Sequence, residues 1–211
     1  MKFSIKNLFA TALTLVVLTG SAFASTTNPS NNVTVLTQVK NINKIVVSGN
    51  VEVLLIQAPV ESVKVYDSYY AKNALVQQQN GELRISSFEK QTLTVAVYVR
   101  ELSTIELGDN STVKTYGKVN FLSLDVILKG SAKADINANT FNLTTTVKDN
   151  ANLELSGSTT DHYASLSSNA KMNMDQFKAD NTSVNSIAPV YAKVNSVKTQ
   201  TLANVAAQLE K

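Results

Sequence analysis

Four segments in the second half of the chain begin alike and return at a nearly fixed interval. Asn110-Ser111-Thr112-Val113, Ser131-Ala132-Lys133-Ala134, Asn150-Ala151-Asn152-Leu153 and Asn169-Ala170-Lys171-Met172 each open on a small polar residue. Each continues with Ser or Ala, then alternates polar with mostly apolar side chains. The starts lie 21, 19 and 19 residues apart, and a weaker copy begins 20 further on at Pro189. A period of this size marks stacked supersecondary units, none of which can bury its apolar face alone. The expected fold is all-β, a β-solenoid whose strands lie one above another.

Before each small-residue corner sits a second alternating strand: Ile105 and Leu107, then Leu124, Val126 and Leu128, then Leu143, Thr145 and Val147, then Ala164 and Leu166. Each period thus reads as strand, corner, strand and connection. Stacked units place equivalent residues about 4.8 Å apart. A corner must therefore accept an identical corner above and below it. Asn and Gly tolerate the left-handed backbone that tight bends need, and Ser and Ala are small enough to stack there. Val113, Ala134, Leu153 and Met172 are expected to form an internal apolar row. Phe121 and Phe141 recur 20 apart and are expected to fill one layer in successive units.

The N-terminal half is also β-rich. Lys44–Val47, a turn at Ser48-Gly49-Asn50, and Val51–Gln57 read as strand, tight turn, strand. Gln77–Ser86 reads as a hairpin, because Asn80-Gly81 supplies the positive φ angles of a type I′ turn. Leu93–Val99 has the clearest alternation in the chain. Ala71–Val76 is expected to form a short helical turn. Leu202, Val205 and Leu209 have helical spacing, so residues 200–211 are expected to be a tail or cap over the last unit.

The first 24 residues have the form of a secretory signal. Lys2 and Lys6 precede the apolar run Leu8–Leu18, and Ala22-Phe23-Ala24 is a small-x-small cleavage site. Removing them leaves 187 residues with 17 basic and 16 acidic side chains, a balance of +1. That near-neutrality and the lack of any Lys/Arg run argue against a nucleic-acid partner. No later stretch is apolar and long enough to cross a bilayer as a helix. The chain holds no cysteine, which excludes a disulfide framework and thiolate metal sites.

Catalytic chemistry is sparse. His162 is the only histidine, so a multi-histidine zinc site within one chain is excluded. It lies after Ser156-Gly157-Ser158, where a solvated loop is expected. Asp109, Asp135, Asp149, Glu154, Asp161 and Asp175 could gather across stacked units as the carboxylates of a polysaccharide lyase or hydrolase do. Asp109 and Asp149 occupy matching corners with Lys129 between them, which reads more simply as a solvent-facing charge ladder. The Gly-Gly-x-Gly-x-Asp calcium repeat is missing. No catalytic, metal or cofactor residue is assigned, and no cofactor is expected. Among the tyrosines, rim or core packing is the expected role, and Tyr69 and Tyr70 are the candidate surface contact.

Ile45-Val46-Val47-Ser48-Gly49-Asn50-Val51-Glu52-Val53-Leu54-Leu55-Ile56-Gln57 resembles the opening of the head GIN domain, a family labelled "putative auto-transporter adhesin". Asn80-Gly81-Glu82-Leu83-Arg84-Ile85 and the run Leu93–Leu107 are similar to its next elements. The family's Gly-Ser-Gly-Asp-like corners have drifted here to Asp109-Asn110-Ser111, Lys129-Gly130-Ser131-Ala132, Asp149-Asn150-Ala151 and Ser168-Asn169-Ala170. The resemblance covers roughly residues 38–197. It implies a right-handed parallel β-helix-like solenoid with an N-terminal β-rich capping segment, and carries over no catalytic residues. The expected layout is a signal peptide at 1–24, a linker at 25–37, the β-solenoid domain at 38–199 and the tail at 200–211. The expected role is an exported, non-catalytic envelope protein that binds an unknown protein or glycan at the cell surface. The alternative is a carbohydrate-active β-helix enzyme.

Overall fold

The computed structural model describes residues 33–66, 74–167 and 169–186. The signal segment, Tyr69 and Tyr70, the copy at Pro189 and the C-terminal tail lie outside them. All elements among the described residues are strands. The first seven are β1 (Val33–Leu36), β2 (Lys44–Gly49), β3 (Val51–Gln57), β4 (Ser62–Tyr66), β5 (Ala74–Gln79), β6 (Glu82–Ser87) and β7 (Leu93–Val99). Six more follow: β8 (Thr104–Leu107), β9 (Thr112–Thr115), β10 (Val119–Leu128), β11 (Lys133–Val147), β12 (Asn152–Leu166) and β13 (Lys171–Ser186).

The repeat puts its copies side by side in parallel register. Leu153 is paired with Ala134 on one side and Met172 on the other, and Ala134 with Val113. All four are buried, so the apolar row stands as the period implied. The same row runs on through Val53 and Val95. A second row passes through Leu83, Ile45, Ile105 and Val126. Each of these side chains is essentially inaccessible to solvent. Burying one Val, Ile or Leu contributes about 1.5–3 kcal/mol, so these two rows are the main cohesive element. β11 belongs to both ladders, its first residues pairing with β9 and its last with β10.

The sheet as a whole is mixed, which departs from a purely parallel β-helix. β4 joins β1 and β7 antiparallel, and β5 joins β6 antiparallel. These three pairings lie at the N-terminal end of the ladders. The order there is also not the order of the chain. β2 lies between β6 and β8, and β3 between β7 and β9, so the first rung is enclosed by two that come later.

The Asn80-Gly81 turn has φ values of 51° and 80° and joins β5 to β6 as a hairpin. Two expectations nearby are corrected. Ala74–Val76 are extended within β5, not helical; the rest of that expected turn lies outside the described residues. Val33–Leu36, placed in a linker, form β1, because Val63 and Val65 offer an edge for pairing. A third correction concerns the phenylalanines. Phe121 pairs with Thr140, not Phe141. The true offset here is 19, and a slip of one residue turns a side chain to the opposite face. Phe121 is buried, whereas Phe141 stands outside next to Leu122 in the neighbouring rung, both more than half exposed.

Candidate functional site

The corners explain how polar side chains hold the rungs together. Register places Gly49, Asp109, Gly130 and Asp149 one above another, each with a positive φ of 80°, 57°, 68° and 57°. Gly49 N–H donates to Asp109 Oδ2 at 3.0 Å, and Gly130 N–H donates to Asp149 Oδ2 at 2.8 Å. Each aspartate thus reaches across to the glycine of the adjacent rung and satisfies a donor that the strand ladder leaves over. A Cβ on Gly49 would lie 2.0 Å from the Ser87 carbonyl oxygen, which fixes glycine there. The expected Asp-Lys-Asp charge ladder is therefore corrected: both carboxylates are tied to backbone amides, and Lys129 turns instead to Glu106 at 2.8 Å.

A charge ladder does exist, on the outside of the second ladder. Lys44 bridges Glu82 and Glu106, each at 3.3 Å, and Arg84 also pairs with Glu82. Lys129, then Lys44, holds the Glu106 carboxyl below the usual carboxylate range. These exposed pairs contribute little individually, about 0–1 kcal/mol.

His162 is the largest correction. It is 1% exposed on β12, not in a solvated loop. Its register partner in the preceding rung is Leu143, so it occupies a core position. Nε2 lies 3.0 Å from Thr145 Oγ1, and Phe177 meets the ring edge-on at 5.5 Å. Nδ1 is buried with no hydrogen-bond partner. Burial lowers the imidazole pKa from 6.5 to about 4, so the ring is neutral at physiological pH. Enclosure and neutrality make it a packing residue.

The other acids separate. Asp161 on β12 accepts from Asn181 Nδ2 of its register partner on β13 at 3.0 Å. Asp135 and Glu154 are register partners on the outer side of the first ladder. With Glu52, Lys114 and Lys133 they line a shallow depression of about 540 Å³. Lys114 pairs with Glu52 at 3.5 Å. Among the described residues, no three His, Asp or Glu groups gather as a metal-binding set. The depression offers donors and acceptors in rows set by strand spacing, a layout that suits contact with a polar surface.

Four tyrosines lie among the described residues, all on the outside of the strands. Tyr66, Tyr116 and Tyr163 are exposed, Tyr116 at 77%, and Tyr98 lies half-buried beneath Lys64, whose Nζ is 4.9 Å from the ring centre. None of these four is in the core. The sequence carries the reason: each occupies an outward position in its strand's alternation or in a turn.

A family described as "Putative auto-transporter adhesin, head GIN domain" matches residues 41–207. No curated protein matches the chain. Among solved structures, a "putative adhesin" from Bacteroides fragilis is similar with a TM-score of 0.62 and 17% identity, covering 75% of this chain and 78% of that one. A "putative adhesin" from Parabacteroides merdae gives 0.60 and 14%, covering 76% and 79%. A "putative lipid binding protein" from Parabacteroides distasonis gives 0.56 and 9%, covering 74% and 78%. At these identities the likeness shows the fold.

Proposed function

Given that the chain belongs to the head GIN domain family, we propose that it is an exported, non-catalytic envelope protein whose stacked β faces bind a protein or glycan at the cell surface. The carrying observation is the outer side of the first ladder. There Lys114, Asp135 and Glu154 repeat at rung spacing, with Glu52 paired to Lys114 beside them, around one depression. A rigid parallel ladder holds such groups in fixed rows, so contact with a partner costs little side-chain ordering. The adhesin descriptions of the similar structures support the same reading. We read the parallel rungs as coils of a right-handed solenoid, capped by the antiparallel strands at its N-terminal end.

The signal-like N-terminus supports export. Mass measurement of the protein recovered from cell fractions tests this: a mature chain starting at Ser25 in the periplasm or on the surface is expected. A full-length chain in the cytoplasm would refute it. A glycan and protein array probed with the mature chain tests binding. Failure to bind any surface component would remove the adhesin reading.

The neighbouring carboxylates Asp135 and Glu154 favour one alternative, a carbohydrate-active enzyme. Polymer cleavage that disappears on Asp135→Asn and Glu154→Gln would establish it. Asp149 is not the residue to replace, because its carboxylate serves Gly130.

A further inference from the structure

Away from the depression, the outer side of the first ladder changes character. Tyr98 on β7 is the register partner of Ile56 on β3. Tyr116 lies on the other side of Ile56, its N–H donating to the Leu55 carbonyl at 2.8 Å. Two tyrosines therefore flank one isoleucine across three consecutive rungs, their backbones about 10 Å apart at the usual strand spacing. Each tyrosine is followed two residues later by an exposed cation, in Tyr98-Val99-Arg100 and Tyr116-Gly117-Lys118. Lys64 adds a third, its ammonium capping the Tyr98 ring at 4.9 Å from the centre. No described residue forms an ion pair with Lys64, Arg100 or Lys118.

The segments that carry these cations are held together. Gln57 Nε2 donates to the Arg100 carbonyl at 3.2 Å and to the Asn120 carbonyl at 2.8 Å, while Gln57 Oε1 accepts from Asn120 N–H at 2.8 Å. One amide thus ties the exit of β7 to the start of β10 across β3. The result is an outward stripe of capped Tyr98, Ile56 and exposed Tyr116, edged by cations that no described carboxylate pairs with, on a fixed backbone.

We propose that this stripe binds an anionic saccharide, a sugar ring lying on Tyr116 and the acid groups meeting Arg100, Lys118 and the Lys64 ammonium that caps Tyr98. A pyranose offers an apolar C–H face and charged or hydroxylated edges, which matches rings bordered by cations. A peptide cannot add a strand here, because β3 is already paired on both sides. Nucleic acid would call for a larger positive field than a mature charge of +1 supplies.

The inference rests on the reading of the chain as a surface-binding module and narrows it to one face and one ligand class. Its test is calorimetric titration of the mature chain with polygalacturonate, alginate and hyaluronate oligomers, and with methyl-esterified galacturonan as the uncharged counterpart. Binding to at least one uronate polymer is expected, weakened about tenfold or more by Tyr116→Ala and by the Arg100→Ala/Lys118→Ala pair. Tyr163→Ala, an exposed tyrosine elsewhere, should leave it unchanged. Equal binding of the methyl ester, or tight competition by poly-glutamate or single-stranded DNA, would overturn the assignment. So would binding to none of the three polymers. Binding that survives Tyr116→Ala would overturn the site while leaving the surface-binding reading intact; an empty glycan and protein array would end both.

Discussion

The two ends of the ladders are built on different plans. Around β2, β3, β6, β7, β8 and β9 the core is aliphatic apart from Ser87 and Ser111, the rungs are out of chain order, and β2 and β3 are each paired on both sides. From β10 to β13 the rungs follow the chain order, and the core admits Thr145, Thr159, His162 and Thr182 beside Met172, Met174 and Phe177. Thioethers and hydroxyls fill space less specifically than branched aliphatics, and a buried imidazole with one free nitrogen carries a desolvation cost. The difference teaches that a regular repeat does not require a uniform interior. The interwoven end supplies cohesion, and the sequential end extends the surface.

Four measurements would sharpen or break this contrast. The largest effect is expected from Gly49→Ala at the interwoven end. The new Cβ would sit 2.0 Å from the Ser87 carbonyl at a φ of 80°, and urea unfolding should show a loss of about 3 kcal/mol or more. A near-neutral result would mean that the corners yield easily and that the two ends are alike. Next comes acid. Unfolded His162 binds a proton below about pH 6.5, whereas the folded residue stays neutral down to about 4. Its stabilising share is complete above pH 6.5 and is lost as pH falls from 6.5 to 4, by about 3 kcal/mol in total. Hydrogen exchange at pH 5 should show β12 and β13 opening before β2 and β3, and His162→Leu should flatten the pH profile. Thr145→Val, which strands the imidazole, should cost about 1–3 kcal/mol, and the double change with His162→Leu should recover most of it. Smallest is Lys129→Ala, which removes an exposed ion pair and should shift stability by less than about 1 kcal/mol. A larger shift would locate cohesion in the outer charge ladder.

The sequence exposed some of this plainly. The period near 19 placed Val113, Ala134, Leu153 and Met172 in one row, because inward positions in parallel strands need apolar side chains at every recurrence. The Asn80-Gly81 hairpin was equally readable from its backbone demands. The interwoven rungs were not, since β4 and β5 intervene between the strands that pair and no local signal reports which rung lies in the middle. Phe141 misled because a spacing of 20 is close to the true 19 but has the wrong parity. His162 misled because a polar residue at a core position looks like a loop until Leu143 is known to lie beside it. The role of Asp109 and Asp149 followed from an adjacent glycine in space, which spacing alone suggests but does not aim. Tyr98 and Tyr116 join across β3 only once Ile56 is set between them.

The enclosed position of β2 and β3 also bears on how the chain acquires its structure. The first rung to be synthesised is among the last that can be completed, because its two neighbours come from β6–β7 and β8–β9. Until both arrive, its paired edges stay open and the pairing depends on distant chain segments, a slow arrangement. A polypeptide assembled this way cannot lock up from its front end as it leaves the ribosome. Such a delay leaves the leading rung open until the 58 residues from Ala58 to Thr115 have followed it.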